Sequence, residues 1–211
     1  MVRLSLSCQR LLGFFIVWNN ATVVGKTRMT SNQDKYSNTA IVLHWLMAIL
    51  LITLFGLGWY MVDLPKGSDE RSWFFGLHKS IGLTMALLAL VRVVWRFTHA
   101  PPELPETVAG FKRKLAGLTH WLLYLAMIIQ PLSGYISSSF SGYKTKIWGV
   151  PLPHWGWKSP ELNELFTDIH VASSVALLCL VIVHLSGVAA HIYEGDKQIL
   201  RRMMPGKNGN C

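Results

Sequence analysis

Residues 169–193 read IHVASSVALLCLVIVHLSGVAAHIY and contain no aspartate, glutamate, lysine or arginine. A helix needs about 20 apolar residues to cross a bilayer, and this stretch is longer than that. It also carries His170, His184 and His191, although ionisable side chains are costly at membrane depth. The stretch therefore predicts a membrane-spanning helix whose histidines serve a function.

Three further stretches resemble it in length and apolar character. Residues 36–62 are uncharged, and so are residues 115–143, in which a helix is predicted over about 115–138 with a bend at Pro131 and Gly134. Residues 73–97 carry cations near both ends, so they span only if these side chains reach the interfaces or find partners.

The composition agrees with lipid as the solvent. Hydrophobic residues make up 51% of the chain and charged residues 15%, below the roughly 25% of soluble domains. The predicted fold class is all-α, a four-transmembrane-helix bundle with up-down topology. We divide the chain into a disordered or mis-assigned N-terminal extension (1–34), a membrane domain (35–205) and a C-terminal tail (206–211).

The formal net charge of +9 follows membrane topology rather than nucleic-acid binding, because the basic residues flank the apolar stretches. If the N-terminus lies inside, fourteen lysines and arginines fall on the inner side and six on the outer side. The positive-inside rule therefore predicts that both termini are cytoplasmic.

Six of the eight histidines lie in the apolar stretches: His44, His78, His120, His170, His184 and His191. His170 and His184 are fourteen residues apart, so they return to within about 40° of one helix face and lie about 21 Å apart along the axis. That separation suits two haem groups stacked across a bilayer.

Each haem then needs a second axial histidine from another helix at the same depth. His44 matches the depth of His184 on the inner side, and His78 matches His170 on the outer side. Imidazole nitrogens suit haem iron, and iron with both axial positions filled favours electron transfer over oxygen activation. No CxxCH motif occurs, so covalent c-type haem is not indicated.

Three other polar residues are candidates for cofactor binding. Arg92 lies fourteen residues after His78, at the depth of the inner haem, where it is either a propionate partner or a cation reaching the interface. His120 and His191 either line a quinone site or hold a propionate. His191 lies a heptad after His184 and is an alternative ligand in its place.

From about Lys35 to Pro205 the sequence resembles the prokaryotic cytochrome b561 family. The resemblance is carried in order by all four stretches: Leu43-His44-Trp45, Leu77-His78-Lys79-Ser80-Ile81-Gly82, Val91-Arg92, His120-Trp121-Leu122-Leu123-Tyr124, Ile169-His170, His184, His191 and Leu200-Arg201-Arg202-Met203. It implies two non-covalent b haems held by His44, His78, His170 and His184. It also implies a multi-pass location in the bacterial inner membrane.

The resemblance further implies electron exchange with the quinone pool, with superoxide as a permitted donor and ubiquinone as acceptor. A haem-bearing membrane anchor for a separate oxidoreductase protein is an alternative function. A haem-free metal or small-molecule transporter is a second alternative, because histidines at two depths could also bind transition metals.

Overall fold

A computed structural model describes residues 35–99, 102, 110–153 and 155–206 of the chain. The elements in chain order are α1 (Asn38–Asp63), α2 (Asp69–Thr98), α3 (Gly110–Phe140), β1 (Lys146–Ile147), β2 (Val150–Pro151), α4 (Pro160–Tyr193) and α5 (Gln198–Arg201). The proposed N-terminal extension, residues 1–34, and all of the tail beyond residue 206 lie outside the described residues.

Helices α1 to α4 are each long and apolar enough to cross a membrane, which confirms the predicted four-helix fold. The shortest, α1, has 26 residues and a length of about 39 Å, more than the roughly 30 Å of a hydrocarbon core. Few large apolar side chains of these helices are buried, and many are exposed on the outside of the bundle. That distribution is expected when lipid, rather than water, surrounds the protein.

The helix ends differ from the prediction. Helix α3 extends from Gly110 to Phe140 and continues through Pro131, and α4 begins at Pro160 rather than near residue 169. Hydropathy marks the part of a helix that lies in the bilayer, whereas capping residues set where the helix itself starts. Ser159 caps α4 by accepting a hydrogen bond from the backbone N–H of Leu162, and Pro160 suits the first turn.

Consecutive helices pack side by side in the order α1, α2, α3, α4, and a small core of Met47, Met85 and Ala89 lies between α1 and α2. Helix α4 packs closely only against α3 among the four long helices. No Cα atom of α4 lies within 8 Å of a Cα atom of α1 or α2. The contacts of α4 with these two helices are therefore made by side chains rather than by closely packed backbones.

At one end of the bundle, which we call the hairpin end, α1 and α3 finish and α2 and α4 begin. Strands β1 and β2, of two residues each, pair there as an antiparallel hairpin. Its turn consists of Trp148 (φ 48°) and Gly149 (φ 87°). The Trp148 backbone N–H donates to Ser80 Oγ at 3.0 Å, and its indole N–H donates to Thr84 Oγ1 at 3.0 Å. The sequence analysis predicted no strand, so the hairpin and its attachment to α2 are new.

At the other end, α1 and α3 begin and α2 and α4 finish, and we call it the basic end. The chain segments that flank the bundle are held together there. The indole N–H of Trp45 donates to the backbone oxygen of Met203 at 2.6 Å, so the segment after α5 is attached to α1. Lys112 donates to both carboxylate oxygens of Glu194, which links the start of α3 to the end of α4. This hydrogen bond and the Lys112 charge lower the pKa of the exposed Glu194 carboxyl.

The contact between α3 and α4 at the hairpin end yields a stability prediction. The Asn163 side-chain amide donates to the backbone oxygen of Ser137 at 2.8 Å. Asn163→Leu removes this donor, so we expect a loss of about 1–3 kcal/mol, seen as a lower thermal denaturation temperature in detergent. Glu164→Gln, on the exposed neighbouring residue, is the matched control, and an equal effect of both changes would contradict the role given to Asn163.

Candidate functional site

Two pairs of histidine rings face each other across the space beside α4. The ring centroids of His44 and His184 are 6.3 Å apart, and those of His78 and His170 are also 6.3 Å apart. The first pair joins α1 to α4 and the second joins α2 to α4, the helices whose backbones do not approach each other. The structure thus places each of these four histidines opposite the partner that its depth predicted.

The equal separation of the two pairs suits a metal atom between the rings. Metal–imidazole bonds are about 2.0 Å long and a ring nitrogen lies about 1.1 Å from its centroid, so opposed axial ligands have centroids about 6.2 Å apart. Imidazole nitrogens are also ligands that haem iron takes.

The hydrogen bonds of His170 favour the tautomer that binds a metal through Nε2. Its Nδ1–H donates to the backbone oxygen of Gln130 at 2.8 Å, which leaves Nε2 with a free electron pair. The side-chain amide nitrogen of Gln130 lies 3.2 Å from that Nε2, and Ser173 Oγ donates to the Gln130 side-chain oxygen. The Gln130 amide therefore lies beside the nitrogen that would bind a metal, and it would have to turn aside for metal binding.

His78 presents a different signal. Its Nδ1 is buried and has no hydrogen-bond partner among the described residues. An unsatisfied buried nitrogen costs free energy, and this cost is acceptable where the ring binds a group other than protein. The imidazole nitrogens and the unsatisfied Nδ1 together fit a haem between His78 and His170, which we call the outer pair.

Two glycines make room for these rings. A Cβ atom added to Gly134 would lie 2.9 Å from both Cε1 and Nδ1 of His170, which is closer than side chains tolerate. A Cβ on Gly58 would lie 3.6 Å from Cε1 of His78, an ordinary contact. Gly134 was predicted from the sequence only as a bend, and its closeness to His170 depends on how α3 and α4 pack.

Arg92 lies beside His44 and His184, which we call the inner pair. Its Nη1 donates to the backbone oxygen of Ala40 at 3.1 Å, and its Nη2 lies 3.3 Å from Nδ1 of His44. If His44 binds iron through Nε2, its Nδ1 carries a proton and no longer accepts from Arg92. The guanidinium would then be released toward an anionic group, which agrees with the predicted partnership with a propionate.

The two remaining histidines are placed differently. The His120 ring packs edge-on against His184 with centroids 5.1 Å apart, and its Nδ1 is 2.7 Å from the backbone oxygen of Ala116. His120 therefore joins the inner cluster. His191 makes none of the ring contacts found among the described histidines, and its backbone oxygen accepts from Asp196 N–H. The residue that faces His44 is His184 rather than His191.

Sequence reasoning missed Gln130, Gly58 and the hydroxyl of Ser173. Gln130 had a detectable signal, because an uncharged polar side chain in an apolar stretch directly before a proline is costly without a partner. Gly58 had none, since glycine is common in membrane helices and nothing in its neighbourhood distinguishes it. Their roles depend on contacts between helices, which spacing along one helix does not reveal.

The four long apolar helices define a helical membrane protein, and two histidine pairs lie between its helices. A sequence model of prokaryotic cytochrome b561 matches residues 35–206, and the chain belongs to this family. Haem b binding and a bacterial membrane location follow from the family.

Three relatives align with this chain over nearly their whole length. Cytochrome b561 homolog 2 of Escherichia coli (strain K12) is 32% identical over 185 residues, which are 86% of this chain and 96% of the relative. The probable superoxide oxidase CybB of Yersinia pestis is 26% identical, with 83% and 98% covered. Cytochrome b561 homolog 1 of Escherichia coli (strain K12) is 24% identical, with 82% and 98% covered.

The closeness of Gly134 to His170 can be tested by mutation. Gly134→Ala places a methyl group against the imidazole, so we expect a lower haem-to-protein ratio and a destabilisation of about 1–3 kcal/mol. The pyridine haemochrome assay measures the ratio. Gly56→Ala is the control, since a Cβ at Gly56 meets no atom within 4 Å. Full haem content in Gly134→Ala would show that the His170 ring is not held where the structure has it.

Proposed function

We propose that this protein is a di-haem b cytochrome that carries electrons between a donor and the quinone pool across the bacterial inner membrane. The observation that carries the proposal is the pair of equal 6.3 Å separations, His44 to His184 and His78 to His170. Both pairs bridge helices that have no close backbone contact with each other. On α4 the two sites are about 21 Å apart along the axis.

Within this proposal the four histidines would hold the haems, two histidines to each. A bound haem would supply a one-electron redox centre. With two histidines on each iron, no position would be open for oxygen or substrate to bind it. The Gln130 backbone oxygen orients His170, and Arg92 supplies a cation at the inner pair.

We also propose that both termini are cytoplasmic and that residues 35–205 form the membrane domain. The support is the excess of lysine and arginine on the linkers and flanks of the basic end. In this orientation the inner pair, His44 and His184, lies toward the cytoplasm, and the hairpin end faces the opposite side. His120 lies against the inner pair, and His191 is the candidate for a contact with quinone near the basic end.

For the donor and acceptor we propose superoxide and ubiquinone. The support is the relative named as a probable superoxide oxidase, whose 26% identity extends over 98% of its length. In the overall reaction two superoxide anions each lose one electron and give two molecules of dioxygen. Ubiquinone takes up the two electrons with two protons and becomes ubiquinol. Membership of a cytochrome family argues against the haem-free transporter.

The haem assignment is tested by removing each histidine in turn. We expect His44→Ala, His78→Ala, His170→Ala and His184→Ala each to lower the haem-to-protein ratio from two to one, because an iron that loses an axial ligand is held more weakly. His120→Ala and His191→Ala should keep both haems. Reduced-minus-oxidised spectra and the pyridine haemochrome assay measure this. Wild-type haem content in His44→Ala would refute the pairing.

The choice of donor is tested by stopped-flow spectroscopy of the reconstituted protein. We expect superoxide to reduce the haem rapidly and added ubiquinone to reoxidise it, with ubiquinol formed in proportion. Haem reduction by quinol but not by superoxide would overturn superoxide as the donor. If neither reduces the haem, the haem-bearing anchor of a separate oxidoreductase replaces the proposed function, and a co-purifying soluble partner should then be found.

A further inference from the structure

A lysine directly follows the outer histidine of α2 and turns inward. The Lys79 ammonium donates to Ser138 Oγ on α3 at 2.8 Å, and Ser138 Oγ lies 2.6 Å from Thr145 Oγ1 in the loop before β1. Ser138 and Thr145 are only 4% and 5% exposed. Lys79 itself is half-buried, and its ammonium is held against these buried hydroxyls at the hairpin end.

This charge lacks a negative partner in the described part of the chain. No carboxylate there forms an ion pair with Lys79, and the hydroxyl of Ser138 satisfies one of its three N–H donors. A half-buried cation at the end of apolar helices is stabilised when an anion accompanies it. The structure thus offers a prepared position for an anionic group that is not protein.

The position lies close to the outer histidine pair. Ser138 follows Gly134 by four residues, or about 6 Å along α3, and Gly134 packs against the His170 ring. Lys79 adjoins His78, the other member of the pair. The hairpin attaches to α2 beside Lys79, since the Trp148 backbone N–H donates to Ser80 Oγ. A carboxylate beside the buried hydroxyls of Ser138 and Thr145 would be partly shielded from water, which strengthens its pairing with the ammonium.

We propose that Lys79 binds a propionate carboxylate of the haem held by His78 and His170, with Ser138 and Thr145 holding the ammonium in place. The inference rests on the outer haem of the proposed function. Arg92 supplies a cation at the inner pair, so α2 would provide one cation for each haem. Lys79 would be a positioning and anchoring residue, because it does not touch the iron.

Haem release tests the proposal. The full-length apoprotein in detergent is loaded with haem b, and transfer of haem to excess apomyoglobin is followed as one kinetic phase per haem. We expect Lys79→Met to accelerate one phase about tenfold or more, as a charge-assisted hydrogen bond is lost, and Lys79→Arg to stay within about threefold of wild type. Lys146→Met, on the exposed lysine of β1, is the charge-matched control and should change neither phase.

A second arm needs no variant. Wild-type apoprotein loaded with haem b dimethyl ester, whose propionates are uncharged, should release that haem as fast as Lys79→Met does, and Lys79→Met should then have no further effect. Ser138→Ala keeps the charge and should accelerate release less than Lys79→Met. If Lys79 only braces the hairpin, both variants lower the denaturation temperature and the ester behaves like haem b.

The two proposals fail in distinguishable ways. If the wild-type protein holds two haems and Lys79→Met leaves both release phases unchanged, only the role of Lys79 is overturned. If His78→Ala and His170→Ala leave the haem content at the wild-type value, this pair holds no haem. That result overturns the assignment of His78 and His170 as ligands together with the role of Lys79.

Discussion

The approach of His44 and His78 to the two histidines of α4 is the constraint on which the rest of the structure depends. Helix α4 has no close backbone contact with α1 or α2, so only side chains connect it to that half of the bundle. Each pair leaves the same 6.3 Å between ring centroids, which suits an iron atom between opposed nitrogens. Because membrane helices gain little from apolar contacts with each other, such polar links and bound groups determine how the helices associate.

Helix α3 supplies no proposed ligand, yet it shapes the outer site. Gly134 gives the His170 ring its space, and the backbone oxygen of Gln130 orients that ring. Pro131 lies between them, at a point where the helix backbone has lost one N–H donor. One turn further, Ser138 holds Lys79. The small and polar residues on this face of α3 provide less apolar packing and would instead position a cofactor. Polar side chains within a membrane usually have such a function.

Much of the fold was predictable because membranes impose a simple rule on sequence. The four apolar stretches predicted the four helices, and α2 was included despite its cations. The depths of His44 and His184, and of His78 and His170, predicted which rings would meet. Helix ends were predicted less well, since capping by Ser159 and the polar turns of α3 extend the helices beyond the apolar stretches. The hairpin went unpredicted, because two-residue strands leave no periodic pattern.

By itself the sequence determined the membrane fold, the family and the depth of each histidine, because helix rise and hydropathy are properties of a single segment. Only the tertiary structure decided lateral placement. It showed that α4 stands apart from α1 and α2, that Arg92 reaches His44 and that Lys79 reaches a serine 59 residues away. The physical reason is that lipid solvates every apolar face equally well, so hydropathy does not specify which helix faces which. Specific contacts between small and polar side chains make that choice.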